Sequence, residues 1–63
     1  MALHYVDGCP VTEKRALEFL HEEAGRRGYE RENYEAAWKR RQRSEKAREF
    51  LGEITGYQLE IEV

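Results

Sequence analysis

Residues 57–63, YQLEIEV, alternate without a break: Tyr57, Leu59, Ile61 and Val63 fall on one side of an extended chain, and Gln58, Glu60 and Glu62 on the other. A period of two with one apolar and one acidic face is the pattern of a half-buried β-strand. The other end of the chain offers it a partner. In ALHYVDG, residues 2–8, β-branched and aromatic side chains place Leu3 and Tyr5 on one face and Ala2, His4 and Val6 on the other. The DGCP of residues 7–10 is turn chemistry that ends this strand.

Between the two strands the period changes. Ala16, Leu17, Leu20 and Ala24 recur at three- and four-residue spacing, with Phe19 widening the stripe. Thr12 is a good N-cap for this helix, and Glu13 sits in its first turn, where the helix dipole favours an anion. GRRG, residues 25–28, ends it, since Gly25 or Gly28 can adopt the left-handed conformation and two arginines sit near the carbonyl end. The third segment, 30–53, contains no proline and reads as one long helix starting at Glu30 or at an Asn33 cap and stopping at Gly52 or Gly56. Its apolar residues form two groups. Tyr34 and Trp38 lie together, while Ala36, Ala47, Phe50, Leu51 and Ile54 cluster roughly 160° to 200° away at 100° per residue. A single helix contacted on both sides accommodates this; the alternative is a break near QRSE, 42–45, with Ser44 capping a second piece.

The expected architecture is a small α+β domain spanning 1–63, ordered β-α-α-β, with the two terminal strands paired and two helices packed on one face. Sixty-three residues bury only roughly 60% of the surface of the unfolded chain, so the core is thin. The single cysteine, Cys9, excludes an intrachain disulfide. Two strands alone are marginal in water and leave both outer edges unpaired, which a homodimer joining edges or a partner donating a strand would resolve.

Composition sets the class. The charged fraction is 38%, but the apolar fraction is 40% and the net charge only −2, which favours a folded chain over a disordered one. No apolar run approaches the ~18 to 20 residues of a membrane span. The opening MALHYVDGCP lacks the basic start and apolar centre of a signal peptide. These features, with one unpaired cysteine, point to a soluble cytoplasmic protein without membrane contact.

The local charge is less even. WKRRQRSEKAR, residues 38–48, holds six cations. Tyr34 and Trp38, one turn apart and flanked by Arg31, Arg41 and Arg48, have the composition of an aromatic and arginine anchor for a protein partner. Lys39, Arg40, Arg43 and Lys46 are the residues that would neutralise phosphates if the segment bound nucleic acid. A pI near 5.7 weighs against the second reading. A solvated helix face would instead pair its charges locally, as Glu35 with Lys39 and Arg41 with Glu45.

Site chemistry is sparse. His4, Cys9 and His21 match no paired-ligand spacing for zinc, and Cys9 is expected to be a small buried hydrophobe. There is no Gly-rich phosphate loop, Ser44 is a helix cap or surface residue rather than a nucleophile, and the glutamates are spread over strand and helix surfaces. The sequence therefore indicates a non-enzymatic module without metal or cofactor, a regulator, adaptor or inhibitor that docks on another protein, with an exposed strand edge as a second contact surface. Its composition is analogous to the small regulators of phages and mobile elements.

Overall fold

The chain begins as a hairpin rather than a lone strand. The computed structural model describes residues 3–63, so the position assigned to Ala2 lies outside the described residues. Strand β1, Leu3–Val6, turns at Asp7 and Gly8 into β2, Cys9–Val11, in antiparallel register, with Val6 opposite Cys9. Asp7 and Gly8 have φ of 52° and 80°. Two central residues with positive φ match the right-handed twist of the strands they join, which is why Asp-Gly is favoured there. The turn chemistry at residues 7–10 thus redirects the strand and does not end the sheet.

The remaining elements are helix α1, Glu13–Arg27, helix α2, Arg31–Arg40, helix α3, Glu45–Ile54, and strand β3, Leu59–Glu62. Strand β3 returns antiparallel along β1, so the sheet order is β2-β1-β3, and the two ends of the chain pair as the alternation predicts. The fold is mixed α+β, with three strands and three helices where two and two were expected. His4, Val6, Leu59 and Ile61 share the sheet face that meets the helices. Leu3, Tyr5, Glu60 and Glu62 share the other. The strand pattern runs out at Tyr57, which takes a left-handed φ of 63° and is exposed, as is Val63.

Helix α1 begins and ends where its sequence directs. Thr12 Oγ1 accepts the backbone N–H of Arg15 at 3.1 Å, and Gly28, at φ 80°, caps the other end by donating to the carbonyls of Ala24 and Gly25. Ala16, Leu20 and Ala24 are fully buried along its inner face.

The 30–53 segment does not form one helix. It breaks at residues 41–44, and Ser44 caps α3, its Oγ accepting the Ala47 N–H at 3.2 Å. The reason lies in the two apolar groups. A straight helix can turn only one of them to a single core, whereas two helices joined by a turn bury both. Tyr34, Ala37 and Trp38 of α2 and Ala47, Leu51 and Ile54 of α3 enter one core with α1 and Leu59. Ala36, grouped with the α3 residues by angle, is exposed once the helix breaks. Helix α2 starts after Glu30, not at an Asn33 cap, and α3 runs past Gly52 to Ile54.

Thr55 ties α3 to the sheet. Its buried hydroxyl donates to the Leu51 carbonyl at 2.9 Å, with the Gly52 carbonyl at 3.2 Å, and accepts the N–H of Leu59 at 3.2 Å.

Candidate functional site

Five residues were expected to form an aromatic and arginine contact surface, and the structure does not bring them together on the outside. Tyr34 and Trp38 are buried in the core, Arg41 is 6% exposed, Arg48 is half-buried, and Arg31 is exposed at the start of α2. Arg41 is drawn inward instead of pairing with Glu45. Its guanidinium lies 3.9 Å over the Trp38 ring and donates to His4 Nε2, the Trp38 carbonyl and Glu13 Oε1 at 2.9, 2.8 and 2.9 Å. The delocalised fork of arginine suits such a place, because several acceptors in different directions can be met at once. Arg48 Nη1 caps the Arg41 carbonyl at 2.7 Å. These arginines hold the turn between α2 and α3.

The His4 ring stacks at 5.4 Å on the other aromatic of this cluster, Trp38. Because Nε2 accepts from Arg41, the imidazole is neutral with its proton on Nδ1. Burial and the neighbouring Arg41 charge both lower its pKa below the usual 6.5, against a smaller opposing pull from Glu13. Tyr34 is likewise occupied, its hydroxyl hydrogen-bonded to His21 Nδ1 at 2.7 Å. Arg31 and Glu35 form an ion pair at 3.0 Å, so Glu35 pairs one turn back and not with Lys39. Cys9 is exposed on β2, contrary to the burial expected of it. Among the described residues no group of three His, Cys, Asp or Glu side chains is clustered to hold a metal ion.

Lys39, Arg40, Arg43 and Lys46 do remain outside. All four are exposed around the turn from α2 to α3, where the N–H of Arg43 and of Ser44 returns to the Arg40 carbonyl. None of them takes part in the four arginine–carboxylate ion pairs found among the described residues.

A second surface lies on the other side of α3, where the sequence pointed only to an exposed strand edge. An open groove of about 270 Å³ runs between α3 and β3. Gly52, Leu59 and Ile61 line its deeper part, the exposed side chains of Glu45 and Glu49 border it from α3, and Glu60 borders it from β3, its side chain on the far face of the sheet. Gly52 is buried in the helix, where glycine costs about 1 kcal/mol relative to alanine. The missing side chain gives room to Tyr57: a Cβ on Gly52 would stand 3.3 Å from the Tyr57 ring. Tyr57 itself is 69% exposed and held at positive φ, a conformation that costs a non-glycine residue of order 1 kcal/mol. Its N–H bonds the Gly52 carbonyl at 2.7 Å, which holds its backbone at the end of α3 beside the groove. The sequence signal for this site was present in Gly-Tyr at 56–57, but the strict alternation of 57–63 drew Tyr57 into the strand.

The fold and groove define a small three-stranded α+β domain with a helix-flanked sheet edge. Compared with known protein families, characterised proteins and solved structures, the chain matches none of them.

Proposed function

We propose that this protein is a non-enzymatic interaction module that docks on another protein through the α3/β3 groove. The observation that carries the reading is Tyr57, an exposed aromatic locked in a strained conformation beside an open strand edge. Exposed aromatics at the edge of a concave surface are the usual anchors of protein contacts. Backbone strain kept at such a place costs stability without improving the core. The regulator, adaptor or inhibitor role expected from composition is retained with the contact surface moved from Tyr34 and Trp38 to this groove.

The test is selection of binding peptides from an unbiased displayed library against the folded protein, followed by titration of the enriched peptides into the isotope-labelled chain. Enriched peptides should shift the amide resonances of Gly52, Tyr57 and Ile61 and lose binding to Tyr57→Ala. Enrichment of nothing that perturbs these three amides refutes the reading.

A second reading rests on Lys39, Arg40, Arg43 and Lys46, which stand exposed at one corner and free of ion pairs among the described residues. They support nucleic-acid binding through phosphate contacts. Anisotropy of labelled DNA and RNA at about 50 and 200 mM salt distinguishes the two, since four phosphate contacts imply a fall of roughly two orders of magnitude over that range. Arg40→Glu with Arg43→Glu should abolish any such binding.

A further inference from the structure

The two edges of the sheet differ in what they offer another strand. In β2, Pro10 lies opposite Tyr5. In a two-residue hairpin the last pair, Val6 and Cys9, exchanges hydrogen bonds, so the next pair does not, and the backbone of Pro10 faces outward. Proline has no N–H to give, which blunts that edge. Along β1 the groups of Tyr5 then point toward β3, in agreement with the bond from the Asp7 N–H to the Gln58 carbonyl at 2.9 Å. The same alternation turns the Gln58 carbonyl and the backbone groups of Glu60 and Glu62 toward β1, and leaves Leu59 and Ile61 facing outward. The Leu59 N–H is already taken by Thr55 Oγ1. The Leu59 carbonyl and both backbone groups of Ile61 therefore lie on an edge that carries no proline, lysine or bulge, directly beside the groove.

The side chains along this edge state what can pair with it. Ile61 faces the helices, and Glu60 and Glu62 face away from them. A strand added here sets an apolar residue opposite Ile61, against the groove, and residues opposite Glu60 and Glu62 on the exposed face. Opposite charges at such cross-strand positions are favourable and like charges are not. Glu45 and Glu49 at the border add to the negative potential; Arg48, the cation that lines the groove, offsets part of it, with its guanidinium turned to the Arg41 carbonyl. A second copy of this chain fits poorly. Antiparallel pairing of two β3 strands about Ile61 would place Glu60 of one chain opposite Glu62 of the other, twice.

We infer that the groove takes an extended partner segment that joins the sheet along β3, with lysine or arginine at alternate positions and apolar residues between them. This rests on the docking reading above and specifies the partner's chemistry: backbone pairing supplies attachment, and alternate side chains supply selectivity.

The experiment uses a capped heptapeptide alternating Lys with Val and Ile, titrated into the labelled protein. Three comparison peptides accompany it: one with Glu for every Lys, and two with N-methyl groups on one or the other set of alternate amides. The Lys peptide should shift the Ile61 amide and slow its exchange. The Glu peptide should bind at least about five-fold more weakly, and Glu60→Lys should weaken the Lys peptide by a similar factor. One methylated peptide should lose binding and the other retain it, because only one set of amides faces the edge. Equal binding of the Lys and Glu peptides, retention of binding by both methylated peptides, or no shift at Ile61 overturns the inference. If unbiased selection nonetheless yields acidic or helical peptides that shift Gly52 and Tyr57, the occupant is wrong and the docking groove stands. If neither peptide source touches these amides, both fall together.

Discussion

Replacing Arg41 by methionine tests whether the buried cluster stabilises the fold or merely occupies it. Methionine keeps the aliphatic stem and removes the guanidinium. The His4 Nε2 lone pair then loses its donor at a buried position, at a cost of about 1–3 kcal/mol, and the contact over Trp38 is lost, at about 1–2 kcal/mol. Two other partners are hardly affected. The Trp38 carbonyl still accepts the backbone N–H of residue 41 at 3.3 Å, and the Glu13 side chain, 66% exposed, returns to water. Methionine also escapes part of the several kcal/mol that burying a cation costs, an offset large enough elsewhere to make such replacements stabilising. The net expectation is a loss of about 2 kcal/mol, because His4 is left unpaired instead of being replaced along with its partner. A domain of this size has a urea m-value of about 1 kcal/mol/M, so the midpoint followed by far-ultraviolet circular dichroism should fall by about 2 M. An unchanged or higher midpoint would show that desolvation of Arg41 outweighs everything it binds, and would refute the cluster as a source of stability.

The lowered pKa of His4 gives a pH dependence of definite sign. Above pH 6.5 the imidazole is neutral in both states; below it the unfolded chain takes up a proton that the folded chain resists, so stability should decline as pH falls from 6.5 toward the folded-state value. His4→Gln should flatten that part of a stability profile measured by urea titration at successive pH values, and an unaltered slope would assign the effect to other groups. Ser44→Ala removes the side-chain cap of α3 and should cost about 1 kcal/mol in the same assay, whereas no change would mean that the break at 41–44 does not depend on it. Tyr57→Asn places at φ 63° a residue that tolerates the left-handed region, so the thermal midpoint should hold or rise while binding of groove-selected peptides is lost; a clear drop in the midpoint would make Tyr57 a packing residue.

Much of the fold was legible because it is written in local periods. The alternation of 59–62 and the three- and four-residue spacing of Ala16, Leu20 and Ala24 each specify a face independently of what covers it. Thr12, Gly28 and Ser44 mark helix ends through hydrogen bonds that reach only a few residues. Strand β2 was missed although Asp-Gly stood before it, since three residues including a proline carry almost no periodic signal. The α3/β3 groove was visible only as an open edge. Its lining comes from α3 and β3 together, and the closeness of Gly52 to Tyr57 depends on a turn whose backbone conformation the side-chain pattern does not encode.

The sequence by itself determined the strand pairing of its ends, the first helix and the existence of two apolar groups between residues 34 and 54. Only the tertiary structure decided how those groups are used. A helix face is a local property, but a core is shared, and one core could receive Trp38 and Leu51 together only if the helix broke between them. That break carries Arg41 inward to His4 and Glu13. It also leaves Lys39, Arg40, Arg43 and Lys46 at the corner and aligns α3 beside the open edge of β3, so the surfaces available for function follow from burying both apolar groups at once.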